Sequence, residues 1–268
     1  MNELLVLLPI LLASGVIAGL LAGLLGVGGG IVIVPMLYHI FIYLNIDITV
    51  AIPLSIGTSL STIVVTSIMS ARSHHKKGGI DWDLTKRWIP LVIIGVLIGS
   101  FSSKYIDAST LKFMFGILLV VVSLNMIISS FKSIIIAKQL PGNFGQSIFG
   151  LLLGGFASLL GIGGGTLMVP LLTLFSYPIH KAVSTASIFG LVISIPATIG
   201  YIIVGWGAPN LPVGSTGYVN WIGFIALVPM TMIFAPLGVK LAYRLNVKQL
   251  KVAFAVFLAC VGVKMLLV

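Results

Sequence analysis

The chain is poor in charge. Of its 268 residues only 7% are Asp, Glu, Lys or Arg, against 59% hydrophobic, where a soluble domain carries roughly 25% charged residues. That balance excludes a water-soluble globular protein. A single cysteine, Cys260, excludes an intrachain disulfide and any CxxC centre. The five acids, Glu3, Asp47, Asp81, Asp83 and Asp107, all fall in connections or at the ends of apolar segments. A carboxylate inside the membrane, the usual mark of a proton or cation pathway, is therefore not expected. Neither H-E-x-x-H nor G-x-S-x-G occurs, so the sequence carries no motif for zinc or serine hydrolysis. His39, His180 and the pair His74-His75 read as solvated or interfacial residues rather than metal ligands. No enzyme, no cofactor and no bound metal is expected. No polar stretch exceeds about 16 residues, which leaves no room for a soluble domain.

What remains is long apolar runs: 48–71, 88–101, 111–131, 180–205, 221–239 and 252–268. These approach or exceed the roughly 20 residues needed to cross a hydrocarbon core. Residues 1–12 lack a basic leader and run into further apolar sequence, so they do not read as a removable signal peptide. The expectation is a multi-pass protein of the cell (cytoplasmic) membrane, its partners the lipid bilayer and a small solute. The net charge of +10 points to loop lysines and arginines that set topology, not to nucleic acid.

The chain also repeats itself. "LLGVGGGIVIVP" at 24–35 returns as "LLGIGGGTLMVP" at 159–170. Gly15 and Gly19 match Gly150 and Gly154 at that same offset of 135. A second register of 139 pairs "GGIDW" (78–82) with "GYVNW" (217–221), then Pro90 with Pro229, Gly99 with Gly238, Phe115 with Phe254 and Asn125 with Lys264. Such duplication is the signature of a repeat architecture. It divides the chain into a first membrane repeat, 1–131, a linker, 132–144, marked by Pro141-Gly142, and a second membrane repeat, 145–268.

Each half reads as five apolar segments, and an odd repeat unit must invert across the membrane. Charge tests this independently, because Lys and Arg concentrate in cytoplasmic connections. If the 72–87 loop is cytoplasmic, that side collects Arg72, Lys76, Lys77, Lys86, Arg87, Lys132, Lys138, Lys181, Lys240, Arg244, Lys248 and Lys251, twelve of the 15 basic residues. Lys104, Lys112 and Lys264 fall on the other side. The matching 206–220 loop contains no Lys or Arg. The predicted fold is an all-α integral membrane protein of two inverted repeats, each starting with a glycine-broken hairpin.

Three successive glycines are poor helix formers, each costing about 1 kcal/mol relative to alanine. A break there leaves 14 residues (31–44) in one half and 11 (166–176) in the other before a polar connection, too short for easy spanning. Non-helical backbone at membrane depth is tolerated only inside protein or along a watery cavity. The first amides of the second hairpin arm lack intrahelical acceptors, and that end of the helix is partly positive. Two such ends meeting from opposite sides form an anion site of the kind built by broken helices in transporters. Gly15, Gly19, Gly150 and Gly154 instead read as packing glycines. A dinucleotide-binding loop fails for want of flanking strand and helix patterns. Hydroxyls at "SIGTSLSTIVVTS" (55–67) and "STAS" (184–187) could donate to an oxyanion or simply bond between helices. The candidate substrate-binding residues are Gly28, Gly29, Gly30, Thr58, Ser59, Gly163, Gly164, Gly165, Thr166, Thr185 and Ser187.

The duplicated LLG-x-GGG-x4-P, the "GTSL" at 57–60, the G-x-[IV]-[DN]-W loops and the LK-x2-F that opens each final segment together resemble the sulfite exporter TauE/SafE family. That resemblance runs from about Gly15 to Met265, and implies a permease for sulfite, organosulfonates or related sulfur-containing anions. The family's glycine motif maps onto Gly26, Gly28, Gly29, Gly30 and Pro35, and onto Gly161, Gly163, Gly164, Gly165 and Pro170. The second half departs from the pattern with "STAS" for "GTSL" and with Asn220 for the acid. The sequence thus reads as a secondary transporter for a small sulfur-containing anion working by alternating access, with a passive anion channel as the alternative.

Overall fold

A computed structural model describes residues 2–26, 28–131, 135–242, 244 and 247–267. Lys132, and the side chains of Glu3, Lys248 and Lys251, lie outside the described residues. The chain is helical almost throughout: α1 (Asn2–Leu25), α2 (Gly30–Tyr43), α3 (Ile48–His75), α4 (Trp82–Ser102), α5 (Ala108–Phe131), α6 (Asn143–Leu159), α7 (Gly165–Leu174), α8 (Ile179–Val204), α9 (Trp221–Ala242) and α10 (Val247–Leu267). Two short strands, β1 (Ser215–Thr216) and β2 (Val219–Asn220), form an antiparallel hairpin before α9. Among the described residues, five helices are long and apolar enough to cross a membrane: α3, α4 with its 3₁₀ extension to Tyr105, α5, α8 and α9. This is an all-α membrane protein.

Both glycine clusters break their helices as the sequence requires. α1 stops at Leu25 and α2 starts at Gly30; α6 stops at Leu159 and α7 starts at Gly165. At the first break Gly28 and Gly29 have φ of 75° and 83°, a region that costs an L side chain roughly 1–2 kcal/mol. The short arms α2 and α7 then pack on α3 and α8.

The two halves are interlaced. α1 lies on α9 and α6 lies on α4, while α3 packs on α8 and α5 on α10. Exchanging α1–α5 for α6–α10 leaves that set of neighbours unchanged. Small residues allow the crossed pairs their close approach. A methyl placed on Gly23 of α1 would stand 2.0 Å from the Ala235 carbonyl oxygen of α9, and one on Gly154 of α6 would stand 2.2 Å from the Val92 carbonyl oxygen of α4. Gly15 and Gly19 press on Met230 and Thr231 of α9 in the same way, as expected of packing glycines. α3 forms the buried axis, with Ile52, Leu54, Ile56, Leu60 and Ile63 all at 1% exposure or less.

The 72–87 loop is shorter than its charge pattern suggests. α3 continues to His75 and α4 begins at Trp82, so Arg72, Lys86 and Arg87 are helical. His74, expected to be solvated, is 2% exposed. Its ring lies between the Gly23 carbonyl oxygen of α1 (3.3 Å from Nε2) and the Ser184 hydroxyl of α8 (3.1 Å from Nδ1). It joins three helices, and its polar atoms find partners inside the protein, as buried groups must.

Candidate functional site

The two glycine breaks meet tip to tip. A methyl on Gly28 would lie 3.1 Å from the Cα of Gly163, and one on Gly30 would lie 2.4 Å from the Gly161 carbonyl oxygen. Ser59 donates to that same Gly161 oxygen at 2.8 Å. Gly28, Gly29, Gly30, Gly163, Gly164 and Gly165 are all buried. Gly29 backs onto the Ala18 carbonyl oxygen and Gly164 onto Phe189. Most of the glycines thus bring backbone against backbone. At that contact even a methyl group has nowhere to go.

One cavity of about 400 Å³ opens beside the second tip, between α5, α7 and the incoming linker. Gly165 and Thr166, the first residues of α7, reach it, as does Ile31 of α2. Asn125 of α5 lines it, together with Ser129, Thr173 and Tyr177. No Asp, Glu, Lys or Arg is among the described lining residues. Thr166 is 2% exposed and its hydroxyl has no hydrogen-bond partner, although an unsatisfied buried hydroxyl costs about 1–3 kcal/mol. The free hydroxyl stands at the helix end where unpaired amides concentrate positive potential. A carboxylate-free pocket with these donors suits a small anion.

Of the eleven sequence-predicted site residues, the structure brings Gly165 and Thr166 to the cavity. The other hydroxyls have internal tasks. Thr58 accepts the Asn220 N–H at 2.8 Å, and Thr185 accepts the Asp81 N–H at 3.0 Å. Each threonine therefore pins the Trp-containing loop of the opposite half. Ser187 donates to the Ser184 carbonyl oxygen at 2.6 Å.

Three features of the site were missed from sequence. The linker folds back over the cavity: Ile135 lines it and the Ile136 N–H donates to the Leu174 carbonyl at 2.8 Å. Tyr177, in the α7–α8 connection, lines the mouth and donates its hydroxyl to the Asp81 carboxylate. Lys181 Nζ also reaches Asp81, at 3.0 Å. Burial raises the Asp81 pKa, but hydrogen bonds from Tyr177, the Leu84 amide and Lys181 outweigh it and hold the carboxyl at about 2. Burial, then the bond to Asp81, pushes the Tyr177 phenol up, so it remains a donor. Nothing in "FSYP" (175–178) signals this partnership, which depends on a residue 96 positions away.

A multi-pass helical bundle built on two broken-helix hairpins, with a cavity at one break, belongs to the architecture of membrane transporters. The chain is a member of the sulfite exporter TauE/SafE family, whose profile matches residues 11–265. It is 32% identical over 256 residues to a probable membrane transporter protein of Haemophilus influenzae, covering 96% of this chain and 97% of that one. A probable membrane transporter protein of Methanocaldococcus jannaschii is 31% identical, with 99% and 97% covered. A third, from Bacillus subtilis, is 28% identical with 96% of each covered. No solved structure matches the chain.

Proposed function

We propose that the protein is a secondary transporter of the cytoplasmic membrane for a small sulfur-containing anion, sulfite or an organosulfonate, and that the cavity at the start of α7 is its binding site. The observation that carries this reading is the buried, unpartnered Thr166 hydroxyl at a helix N-terminus in a cavity without carboxylates. The anion would lie against the first amides of α7, with the Thr166 hydroxyl and the Asn125 amide as further donors. The repeats 1–131 and 145–268, joined by 132–144, would sit inverted in the bilayer and rock about the site. The packed glycine tips favour this over a channel, since a continuous pore would have to pass through backbone in contact.

Thr166→Val tests the proposal because it keeps the shape and removes the donor. A hydrogen bond to a charged group contributes about 1.5–3 kcal/mol, so anion affinity should fall by tenfold or more, while the melting temperature without anion should not fall, because the variant removes an unsatisfied hydroxyl. The measurements are thermal stabilisation of the purified protein by sulfite, thiosulfate, sulfate, methanesulfonate and chloride, and flux into proteoliposomes. Wild-type affinity in the Thr166→Val variant would remove the cavity from the mechanism. Flux that neither saturates nor shows trans-stimulation would replace the transporter with a channel.

A further inference from the structure

The exchange of halves carries the surroundings of the cavity beside α7 onto a second set of helices. Under the exchange of halves, α5, α7 and α10 become α10, α2 and α5, and the sequence registers carry Thr166 onto Ile31 and Asn125 onto Lys264. Where the described lining of the cavity carries no charge, this second set is basic. His39 of α2, Lys112 of α5 and Lys264 of α10 gather there: Gly116, one turn beyond Lys112, packs against Gly262 and Leu266, which flank Lys264. Lys112 Nζ stands 5.9 Å from the centroid of the Tyr38 ring, and the rings of Tyr38 and His39 lie 5.2 Å apart. His39 Nε2 is buried and has no hydrogen-bond partner. The Lys181–Asp81 pair is the one salt bridge among the described residues, so no described carboxylate pairs with Lys112 or Lys264.

Two cations held together repel each other, and the imidazole nitrogen beside them lacks a partner; a shared anion removes the repulsion while supplying that partner. We infer that His39, Lys112 and Lys264 form a second anion-binding site, on the side of the membrane opposite the cavity mouth, for a small sulfur oxyanion. The imidazole N–H and the two ammonium groups are donors that a tetrahedral or pyramidal oxyanion can take up together. Tyr38 holds Lys112 by a cation–π contact without consuming its charge. A solute crossing from one site to the other would pass from a neutral pocket to a cationic one, so the two faces of the protein should differ in anion affinity. The choice of anion rests on the proposed transport reading; the existence of the site does not.

The test is amidination of the purified protein with methyl acetimidate, followed lysine by lysine by mass spectrometry. Sulfate, sulfite or methanesulfonate is compared with chloride at equal ionic strength, which cancels general screening. The expected result is modification of Lys112 and Lys264 slowed several-fold by the sulfur anions, with the exposed Lys104 and Lys76 unaffected. His39→Gln should weaken the protection of both lysines. Lys264→Gln, at an exposed position that the fold does not depend on, should abolish the protection of Lys112. Equal rates for all four lysines in sulfate and chloride would overturn the inference, as would protection of Lys112 surviving Lys264→Gln. Protection without flux keeps this site and removes the transport reading, whereas flux without protection does the reverse.

Discussion

Asp81 and Asn220 stand at matching points of the two halves, and the interlaced fold treats their backbones alike and their side chains differently. Each backbone N–H is taken by a threonine of the other half, Thr185 or Thr58. Each side chain caps the helix that follows, Asp81 accepting from Asp83 and Leu84 and Asn220 from Gly223. Beyond that the two part. Asp81 collects Tyr177 and Lys181 at the mouth of the cavity, while the Asn220 amide turns inward to Val213 and Ser215 of its own loop. The scaffold needs the shared bonds, and the change of charge is free to distinguish the surroundings of the two loops.

The most drastic way to break this equivalence is where the tips touch. Gly30→Ala drives a methyl into the Gly161 carbonyl oxygen and Ile63, and overpacking against immobile backbone costs about 3 kcal/mol or more. The yield of folded protein in detergent should collapse. Next come the two threonines. Thr58→Val strands a buried N–H and Thr185→Val a partly buried one, at roughly 2 and 1 kcal/mol respectively. Both should lower the melting temperature, Thr58→Val the more; equal losses would mean that the loops are held by something else.

A smaller effect belongs to the carboxylate. The Asp81 pKa is depressed in the folded state to about 2, from an unfolded value near 3.9. Its contribution is therefore complete above about pH 4 and is lost as the pH falls towards 2. Asp81→Asn should remove that acid-dependent part of the melting curve and cost no more than about 1 kcal/mol at neutral pH, since Lys181 is half exposed and screened. Asn220→Asp, the reverse exchange, should not create such a dependence by pairing, because the residues that match Tyr177 and Lys181 in the first half are Ile42 and Ile46. Least disturbing is a pair of labels. With Cys260 replaced by serine, cysteines at Lys76 and at the exposed Val213 should react with an impermeant maleimide from opposite sides of the membrane. Reaction of both from one side would end the inverted-repeat reading.

The parts of this molecule legible in the sequence are those governed by local chemistry. The helix breaks between Leu25 and Gly30 and between Leu159 and Gly165 follow from glycine's cost in a helix, and the division into ten segments follows from apolar length. The packing role of Gly15, Gly19 and Gly154 was legible for the same reason. The site was less so. "GTSL" and "STAS" offer hydroxyls, but a hydroxyl's partner is decided by what lies across from it, and Thr58, Ser59, Thr185 and Ser187 are all engaged within the protein. Thr166 stands apart only because nothing lies across from it. His74 misled because its neighbours in sequence are charged, whereas its neighbours in space are Gly23 and Ser184. Tyr177 and the returning linker carry no local signal at all.

The crossed pairing of α1 with α9 also sets an order of assembly. When α1 leaves the ribosome its partner is roughly 200 residues away, a delay of about 10–40 s at ordinary elongation rates. Throughout that interval the face bearing Gly15, Gly19 and Gly23 must wait in lipid or against a chaperone, because α6, made earlier than α9, is matched to α4 instead. The first repeat released alone is an unfinished surface, and two separately synthesised repeats should find each other in the membrane and close the fold.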